Sequence, residues 1–66
     1  MVTDLTFSRE RIHEIRLRLG LSQEGFARKL GVSLTAVGCW ERGKYGPGSR
    51  RILAALLAAE READGK

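Results

Sequence analysis

Residues 20–43 read GLSQEGFARKLGVSLTAVGCWERG, and the architecture of the whole chain can be worked out from them. Glycines divide this segment at regular intervals, as expected of glycine just past the C-terminus of a helix. They are Gly20, Gly31 and Gly43. Serines mark the opposite ends, because a serine side chain can accept a hydrogen bond from the free N–H groups of a first helical turn. The pattern predicts two short helices, over 23–30 and 34–42.

The same pattern extends to both sides of this segment. N-cap serines are predicted at Ser8, Ser22 and Ser33. Each follows an apolar residue that can pack on the fourth residue of the next helix, an arrangement called a hydrophobic staple. The pairs are Phe7 with Ile12, Leu21 with Phe26, and Val32 with Val37. A first helix is therefore predicted over 9–19, and a fourth beginning after Ser49 and ending near Glu62.

Length and periodicity limit the fold class. A chain of 66 residues has room for one small domain with a modest core. No segment alternates between apolar and polar residues, so we predict an all-α fold of four helices with the two short helices at its centre. The domain is expected over 8–62, with residues 1–7 as an N-terminal arm anchored by Phe7 and residues 63–66 as a frayed tail.

The charge of the chain favours an anionic partner. Twelve Lys and Arg residues face eight Asp and Glu residues, which gives a net charge of +4. Residues 28–51 concentrate this excess in six basic residues against the single acid Glu41. The six are Arg28, Lys29, Arg42, Lys44, Arg50 and Arg51. Such a cluster suits nucleic acid first and a membrane surface second.

Several other classes of protein are disfavoured. The single cysteine, Cys39, excludes an internal disulfide and indicates a cytoplasmic protein. The longest apolar run, 52–59, is far shorter than the roughly 20 residues of a membrane span. His13 and Cys39 fall short of the four ligands of a structural zinc site, so no metal and no cofactor are expected. We also predict no enzyme activity, since no nucleophile–base pair or paired carboxylates are apparent.

The two short helices are joined by the three residues 31–33, which is the spacing of a helix-turn-helix motif. The alternative is an ordinary helical hairpin within a small bundle. At about 100° per residue, Val37 and Trp40 of the second short helix face the core. The outward face then holds Thr35, Cys39 and Arg42, with Gly38 at its edge and Leu34 exposed in the first turn. This face is small and free of acid, so we expect it to lie against a ligand.

Two residues of this helix need an explanation. Glycine in a helix interior costs up to about 1 kcal/mol relative to alanine. Either of two gains can offset this cost at Gly38: a ligand can approach the backbone closely, or a neighbouring helix can pack more closely.

Glu41 lies in the apolar sector of the same helix, where an unpaired carboxylate would be very costly. Arg16 is the best candidate for its partner, and a solvent-facing Glu41 is the alternative.

Residues 12–43, IHEIRLRLGLSQEGFARKLGVSLTAVGCWERG, resemble the lambda-repressor-like (Cro-type, xenobiotic-response-element) helix-turn-helix family. The resemblance is carried by Ile15-Arg16, Gly20-Leu21-Ser22-Gln23-Glu24, Phe26-Ala27, Leu30-Gly31-Val32-Ser33, Val37 and Trp40-Glu41-Arg42-Gly43. It implies a lambda-repressor-like DNA-binding domain whose Arg16–Glu41 pair is a buried ion pair typical of the family. The fifth helix common in the family is absent or merged into the fourth.

The resemblance also implies which residues contact DNA. Gln23 would bind a phosphate and brace the recognition helix. Base edges or the backbone would be contacted by Ser33, Leu34, Thr35, Gly38 and Cys39. Phosphates would be contacted by Arg42 and Lys44 after the recognition helix. Tyr45 lies in the same basic loop, where it either binds a phosphate or covers the edge of the core.

The base-reading positions depart from the family pattern. Leu34, Thr35, Gly38 and Cys39 stand where the family often has Arg, Gln or Asn, and none of them can form two hydrogen bonds to one base. Leu34 and Cys39 can pack on a thymine methyl group, and Thr35 offers one hydroxyl. Specificity should therefore depend on methyl contacts, on Arg42 and on DNA shape, or be modest.

These patterns together predict a sequence-specific double-stranded-DNA-binding protein that regulates transcription, with repression as the expected effect. One small recognition helix covers few base pairs, so a homodimer on a palindromic operator is expected, with half-sites about 34 Å apart. One alternative is the antitoxin of a toxin–antitoxin pair, which would bind a toxin and its own operator. Another is a protein-interaction module that has lost DNA binding.

Overall fold

The computed structural model describes residues 7–65, which form four α-helices and no strand. The helices are α1 (Arg9–Arg18), α2 (Gln23–Leu30), α3 (Leu34–Arg42) and α4 (Arg50–Asp64). The predicted all-α class is confirmed, and the bounds of α2 and α3 are those that the serines and glycines indicate. The predicted N-terminal arm lies outside the described residues except for Phe7, which is buried in the core.

Serine caps begin all four helices in the same way. The side-chain oxygen of each serine accepts a hydrogen bond of 3.0 or 3.1 Å from the backbone N–H three residues later. The caps are Ser8, Ser22, Ser33 and Ser49. Because α2 and α3 have eight and nine residues, they would be marginal on their own, and these caps satisfy donors that would otherwise need water.

The ends of α1 and α4 differ from the prediction. Helix α1 ends one residue early, at Arg18, and Leu19 caps it. Helix α4 continues beyond Glu62, so the prediction of a frayed tail is wrong for Ala63 and Asp64. Ala63 is only 5% exposed because it extends the buried row of α4 by one more turn. Asp64 contacts Arg18 of α1 at 3.2 Å, and Lys66 lies outside the described residues.

The core draws one fully buried side chain from each helix. These are Ile12, Phe26, Val37 and Leu56, in chain order. Trp40 is buried beside them, as the sequence predicts. Helix α3 packs against α1 and α2, and α4 packs against the same two helices. The outer side of α3 is therefore left open by the last helix, and Leu34, Thr35 and Arg42 are exposed there.

A second contact fastens α1 to α4. Arg11 donates hydrogen bonds of 2.8 and 2.6 Å to the two carboxylate oxygens of Glu60. The Arg11 guanidinium also lies 4.2 Å from the centre of the Phe7 ring. The hydrogen bonds from Arg11 hold the pKa of Glu60 below its usual value.

Within residues 7–65 no helix is long and apolar enough to cross a lipid bilayer.

The role of α4 in closing the core can be tested with two adjacent leucines. Leu56→Ala should lower the free energy of unfolding by about 2–5 kcal/mol, because it leaves a cavity in a fully buried site. Leu57→Ala is the matched control, and it should change stability by less than about 0.5 kcal/mol since Leu57 is exposed. Urea titration followed by circular dichroism measures both. Equal losses from the two variants would contradict this packing.

Candidate nucleic-acid interface

The turn between α2 and α3 is built from a left-handed glycine and a capping serine. Gly31 adopts φ +75°, a conformation that glycine takes without strain. The N–H of the next residue, Val32, donates to the carbonyl of Ala27 at 2.9 Å and closes the end of α2. Ser33 then caps α3. Two short helices joined in this way form a helix-turn-helix, with α3 as its second helix.

A buried ion pair joins α1 to α3. Arg16 Nε lies 2.7 Å from Glu41 Oε2, and Arg16 Nη2 lies 3.1 Å from Glu41 Oε1. The side chains are 13% and 7% exposed, respectively. The predicted Arg16–Glu41 pair is confirmed, and the solvent-facing alternative for Glu41 is excluded. Arg16 also donates from Nη1 to the carbonyl of Leu21 at 2.9 Å, which fixes the chain just before α2.

Two further residues contact the same carboxylate, and neither contact was predicted from the sequence. His13 Nδ1 lies 3.0 Å from Glu41 Oε1, and Gln23 Nε2 donates to that oxygen at 3.2 Å. Burial acts to raise the pKa of Glu41, but hydrogen bonds with Arg16, His13 and Gln23 act to lower it. The hydrogen bonds prevail, so the pKa of Glu41 lies below its ordinary value of 4.5. The carboxylate is therefore charged at neutral pH and holds Gln23 against α3.

The predicted DNA-contacting residues divide into an exposed group and a covered group. The exposed ones are Ser33, Leu34, Thr35, Arg42, Lys44 and Tyr45, while Gln23 is half-buried. Leu34 is 50% exposed, which matches the prediction for the first turn of α3. Gly38 and Cys39 are buried. The structure thus brings eight of the nine residues onto or around α3, with Gln23 reaching across from α2.

The prediction that Cys39 lies on an open face is wrong for the free protein. Cys39 is only 5% exposed. Arg42 Nη2 lies 3.7 Å from the Cys39 sulfur. Interaction with the Cys39 thiol raises the pKa of Tyr45, so these two side chains lie close together. Tyr45 is itself 52% exposed, and the two roles considered for it stay predictions.

Gly38 is covered by side chains and not by a neighbouring helix backbone. A Cβ atom at this position would have Arg42 Nη1, Arg42 Nη2 and Gln23 Oε1 as its nearest neighbours, all at 3.9 Å. These are ordinary van der Waals distances to the ends of flexible side chains. Because Gln23 belongs to α2, a side chain of the neighbouring helix does reach the space above Gly38, at an ordinary contact distance. Gln23 and Arg42 close over Gly38 from the two sides.

Ion pairing concentrates the unpaired positive charge in one part of the chain. All seven acidic residues within 7–65 form an ion pair, and several of them neutralise basic residues on α1 and α2. Arg28 and Lys29 of the predicted basic cluster are paired with Glu24 and Glu62. The basic residues left without an ion pair in the described chain are Arg42, Lys44, Arg50, Arg51 and Arg61. Four of these five lie between residues 42 and 51.

Within the part of the chain that the structure describes, no group of three or more His, Cys, Asp or Glu side chains is placed to hold a metal ion. His13 is instead engaged with the Arg16–Glu41 pair.

Comparison with known proteins agrees with this geometry. The sequence model of the helix-turn-helix family matches residues 12–62, which include all of α2, α3 and the turn between them. The match extends well beyond the segment 12–43 on which the sequence resemblance depends. None of the curated proteins compared with the chain matches it.

The buried ion pair should make stability depend on acid pH in a defined direction. At neutral pH, Glu41→Gln should lower the free energy of unfolding by about 3 kcal/mol, because Arg16 keeps a hydrogen-bonding partner but loses its counter-charge. A carboxyl whose pKa is lowered by folding stabilises above its unfolded pKa of 4.5, and this contribution is lost as the pH falls through the folded pKa. The difference between variant and wild type should therefore shrink below pH 4.5.

Glu24→Gln is the matched control for this measurement. The Glu24–Arg28 pair is exposed, so its removal should cost at most about 1 kcal/mol. Urea unfolding at a series of pH values distinguishes the two variants. A constant difference between Glu41→Gln and wild type from pH 7 to pH 3 would show that Glu41 does not provide this acid-sensitive stability.

The space above Gly38 generates a separate prediction for the free protein. Gly38→Ala should raise the free energy of unfolding by up to 1 kcal/mol or so, since alanine favours the helix and its methyl group meets no atom closer than 3.9 Å. Gly43→Ala is the contrasting variant, because Gly43 has φ +76° and a Cβ there would lie 3.1 Å from Arg9 Cδ. Gly43→Ala should therefore lower the free energy of unfolding. Thermal unfolding checks both, and destabilisation by Gly38→Ala would show that the fold itself requires this glycine.

Proposed function

Because the chain belongs to the lambda-repressor-like helix-turn-helix family, whose fold is that of DNA-binding transcription regulators, we propose that it is a sequence-specific repressor of transcription. In this proposal α3 lies in the major groove of double-stranded DNA. The exposed side chains at its start, Leu34 and Thr35, face base edges, while Ser33 lies beside the backbone. The cytoplasm is the expected site of action.

The observation that carries this proposal is the distribution of unpaired charge. Arg42, Lys44, Arg50 and Arg51 are exposed and have no ion pair within residues 7–65. They follow α3 directly or begin α4. The phosphates of a DNA backbone would supply the negative charge that no acidic side chain of the described residues provides here. A helical hairpin with a structural role would give no reason for such a segregation of charge.

Gln23 connects the buried ion pair to the proposed interface. Its amide nitrogen donates to Glu41, and its amide oxygen reaches the space above Gly38. Gln23 is the first residue of α2, so its own backbone N–H belongs to the free donors of a helix N-terminus. A phosphate placed there would meet both the helix N-terminus and an amide side chain held in a fixed position. The ion pair thereby supports a DNA contact as well as the fold.

A homodimer follows from the size of the recognition surface. Leu34 and Thr35 can contact only a few base pairs, which is too little for a specific site. Two copies related by a two-fold axis would read a palindrome with half-sites about 34 Å apart.

Salt dependence tests whether these basic residues contact phosphates. A duplex selected from a random pool should lose affinity linearly on a logarithmic scale as salt rises, with a slope of about −0.9 for each phosphate contacted. Lys44→Ala should weaken binding to all duplexes alike and reduce the slope by about one. Arg61→Ala is the matched control. Arg61 is also unpaired but lies near the opposite end of α4, and its removal should leave the slope unchanged.

Fluorescence anisotropy of a labelled duplex at several salt concentrations gives these slopes. If wild type binds no duplex at low salt, the chain is a protein-interaction module and the proposal is wrong. If Lys44→Ala and Arg61→Ala reduce the slope equally, binding depends on net charge alone and not on the surface defined above.

A further inference from the structure

We propose that Arg42 is the specificity-determining residue of this chain and that it reads a guanine in the major groove. The family resemblance implies a phosphate contact at this position instead. The inference rests on the proposed function, because it concerns the same interface, and it assigns to that interface a base-reading residue and a preferred base.

The guanidinium of Arg42 lies on the face of α3 that carries the base-reading positions. Although Arg42 is the last residue of α3, its Nη2 atom lies 3.7 Å from the sulfur of Cys39, three residues earlier. Its two Nη atoms also lie 3.9 Å from the point where a Cβ of Gly38 would be. Side chains in helices lean toward the N-terminus in this way. The functional group of Arg42 is therefore placed about one turn earlier than its backbone.

The residues under this guanidinium leave room for it. Gly38 has no side chain and Cys39 has a short one, and both are buried although they lie on the outer side of α3. The ends of the Arg42 and Gln23 side chains are the nearest atoms above Gly38, and Arg42 also contacts the Cys39 sulfur. A long side chain at either position would compete with Arg42 for this space. Gly38 and Cys39, which cannot form two hydrogen bonds to a base, thus leave space for the side chain of Arg42, which can.

The donors of Arg42 are free of carboxylates. No ion pair of Arg42 exists within residues 7–65, and the adjacent carboxylate of Glu41 points inward to Arg16. The contact with the Cys39 sulfur is a weak hydrogen bond that a base can replace. Arg9 donates to the backbone carbonyl of Arg42 at 3.4 Å, which helps to hold this end of α3 without occupying the guanidinium.

Guanine is the base that matches this group. Its major-groove edge presents two acceptors, N7 and O6, to which the planar fork of an arginine donates two parallel hydrogen bonds. Leu34 and Thr35, the other exposed residues of α3 at these positions, can offer at most one hydroxyl and a methyl contact. Among the exposed residues of α3, Arg42 is therefore the side chain with the geometry for two-point recognition of a base.

The experiment compares Arg42→Ala and Arg42→Lys with Lys44→Ala on a duplex selected by the wild-type protein and on duplexes that change one guanine of that site at a time. Arg42→Ala should lower affinity for the selected duplex by about 5- to 150-fold. At the position of the contacted guanine, this variant should bind duplexes carrying any of the four bases equally well. Arg42→Lys should weaken the same preference, because lysine keeps the charge and can donate to guanine but lacks the planar fork. Lys44→Ala should keep the preference and weaken every duplex.

A modified base identifies the contacted atom. Replacing that guanine with 7-deazaguanine removes the N7 acceptor, and it should weaken the wild-type protein while leaving Arg42→Ala unaffected. Arg42 is exposed, so its variants should fold, and circular dichroism with thermal unfolding verifies this.

Two results would overturn the inference without touching the proposed function. One is a uniform loss of affinity in Arg42→Ala across all duplexes, with wild-type binding in Arg42→Lys, which is the behaviour of a phosphate contact. The other is an equal effect of 7-deazaguanine on wild type and Arg42→Ala. A wild-type protein that selects no duplex would overturn both the inference and the function on which it rests.

Discussion

The buried pair of Arg16 and Glu41 is the constraint on which the arrangement of this domain depends. Removing a carboxylate and a guanidinium from water costs several kcal/mol for each, and the cost is offset only if the geometry is good and further hydrogen bonds are made. Here the guanidinium binds both carboxylate oxygens and the carbonyl of Leu21, and Gln23 adds another donor. Four parts of the chain therefore meet at one point: α1, the segment before α2, the start of α2 and the end of α3.

This pair also sets which way α3 faces. With Glu41 directed toward α1, the periodicity of the helix turns Val37 and Trp40 into the core and leaves Thr35 outward. A rotation of α3 by one residue would expose Trp40 and leave Arg16 without its counter-charge. The ion pair thus adds a directional constraint on the orientation of α3, since apolar contacts are not directional.

The boundaries of α2 and α3 and the partner of Glu41 could be predicted because they depend on local or periodic signals. A serine cap, a left-handed glycine and a carboxylate among apolar residues each have few structural solutions. What could not be predicted depends on the reach of long side chains. A helical wheel places Cys39 away from the apolar core cluster, but it does not show that the Arg42 side chain reaches back to it. The ion pair of Lys29 with Glu62 is the second example, since the two residues are 33 positions apart in the chain.

The same limit applies to the end of α4 and explains why composition is a poor guide to such surfaces. Residues 60–66 read EREADGK and carry little apolar signal, yet Ala63 completes the core because α4 runs along α1. On α3, Gly38 and the short side chain of Cys39 likewise matter because they leave space for longer side chains from elsewhere. Long polar side chains at positions 38 and 39 would form this surface of α3 themselves. With Gly38 and Cys39 in their place, the side chain of Arg42 reaches back over both residues from the end of α3, and that of Gln23 reaches Gly38 from α2. This surface is therefore formed by side chains whose backbones lie at its edge or on a neighbouring helix.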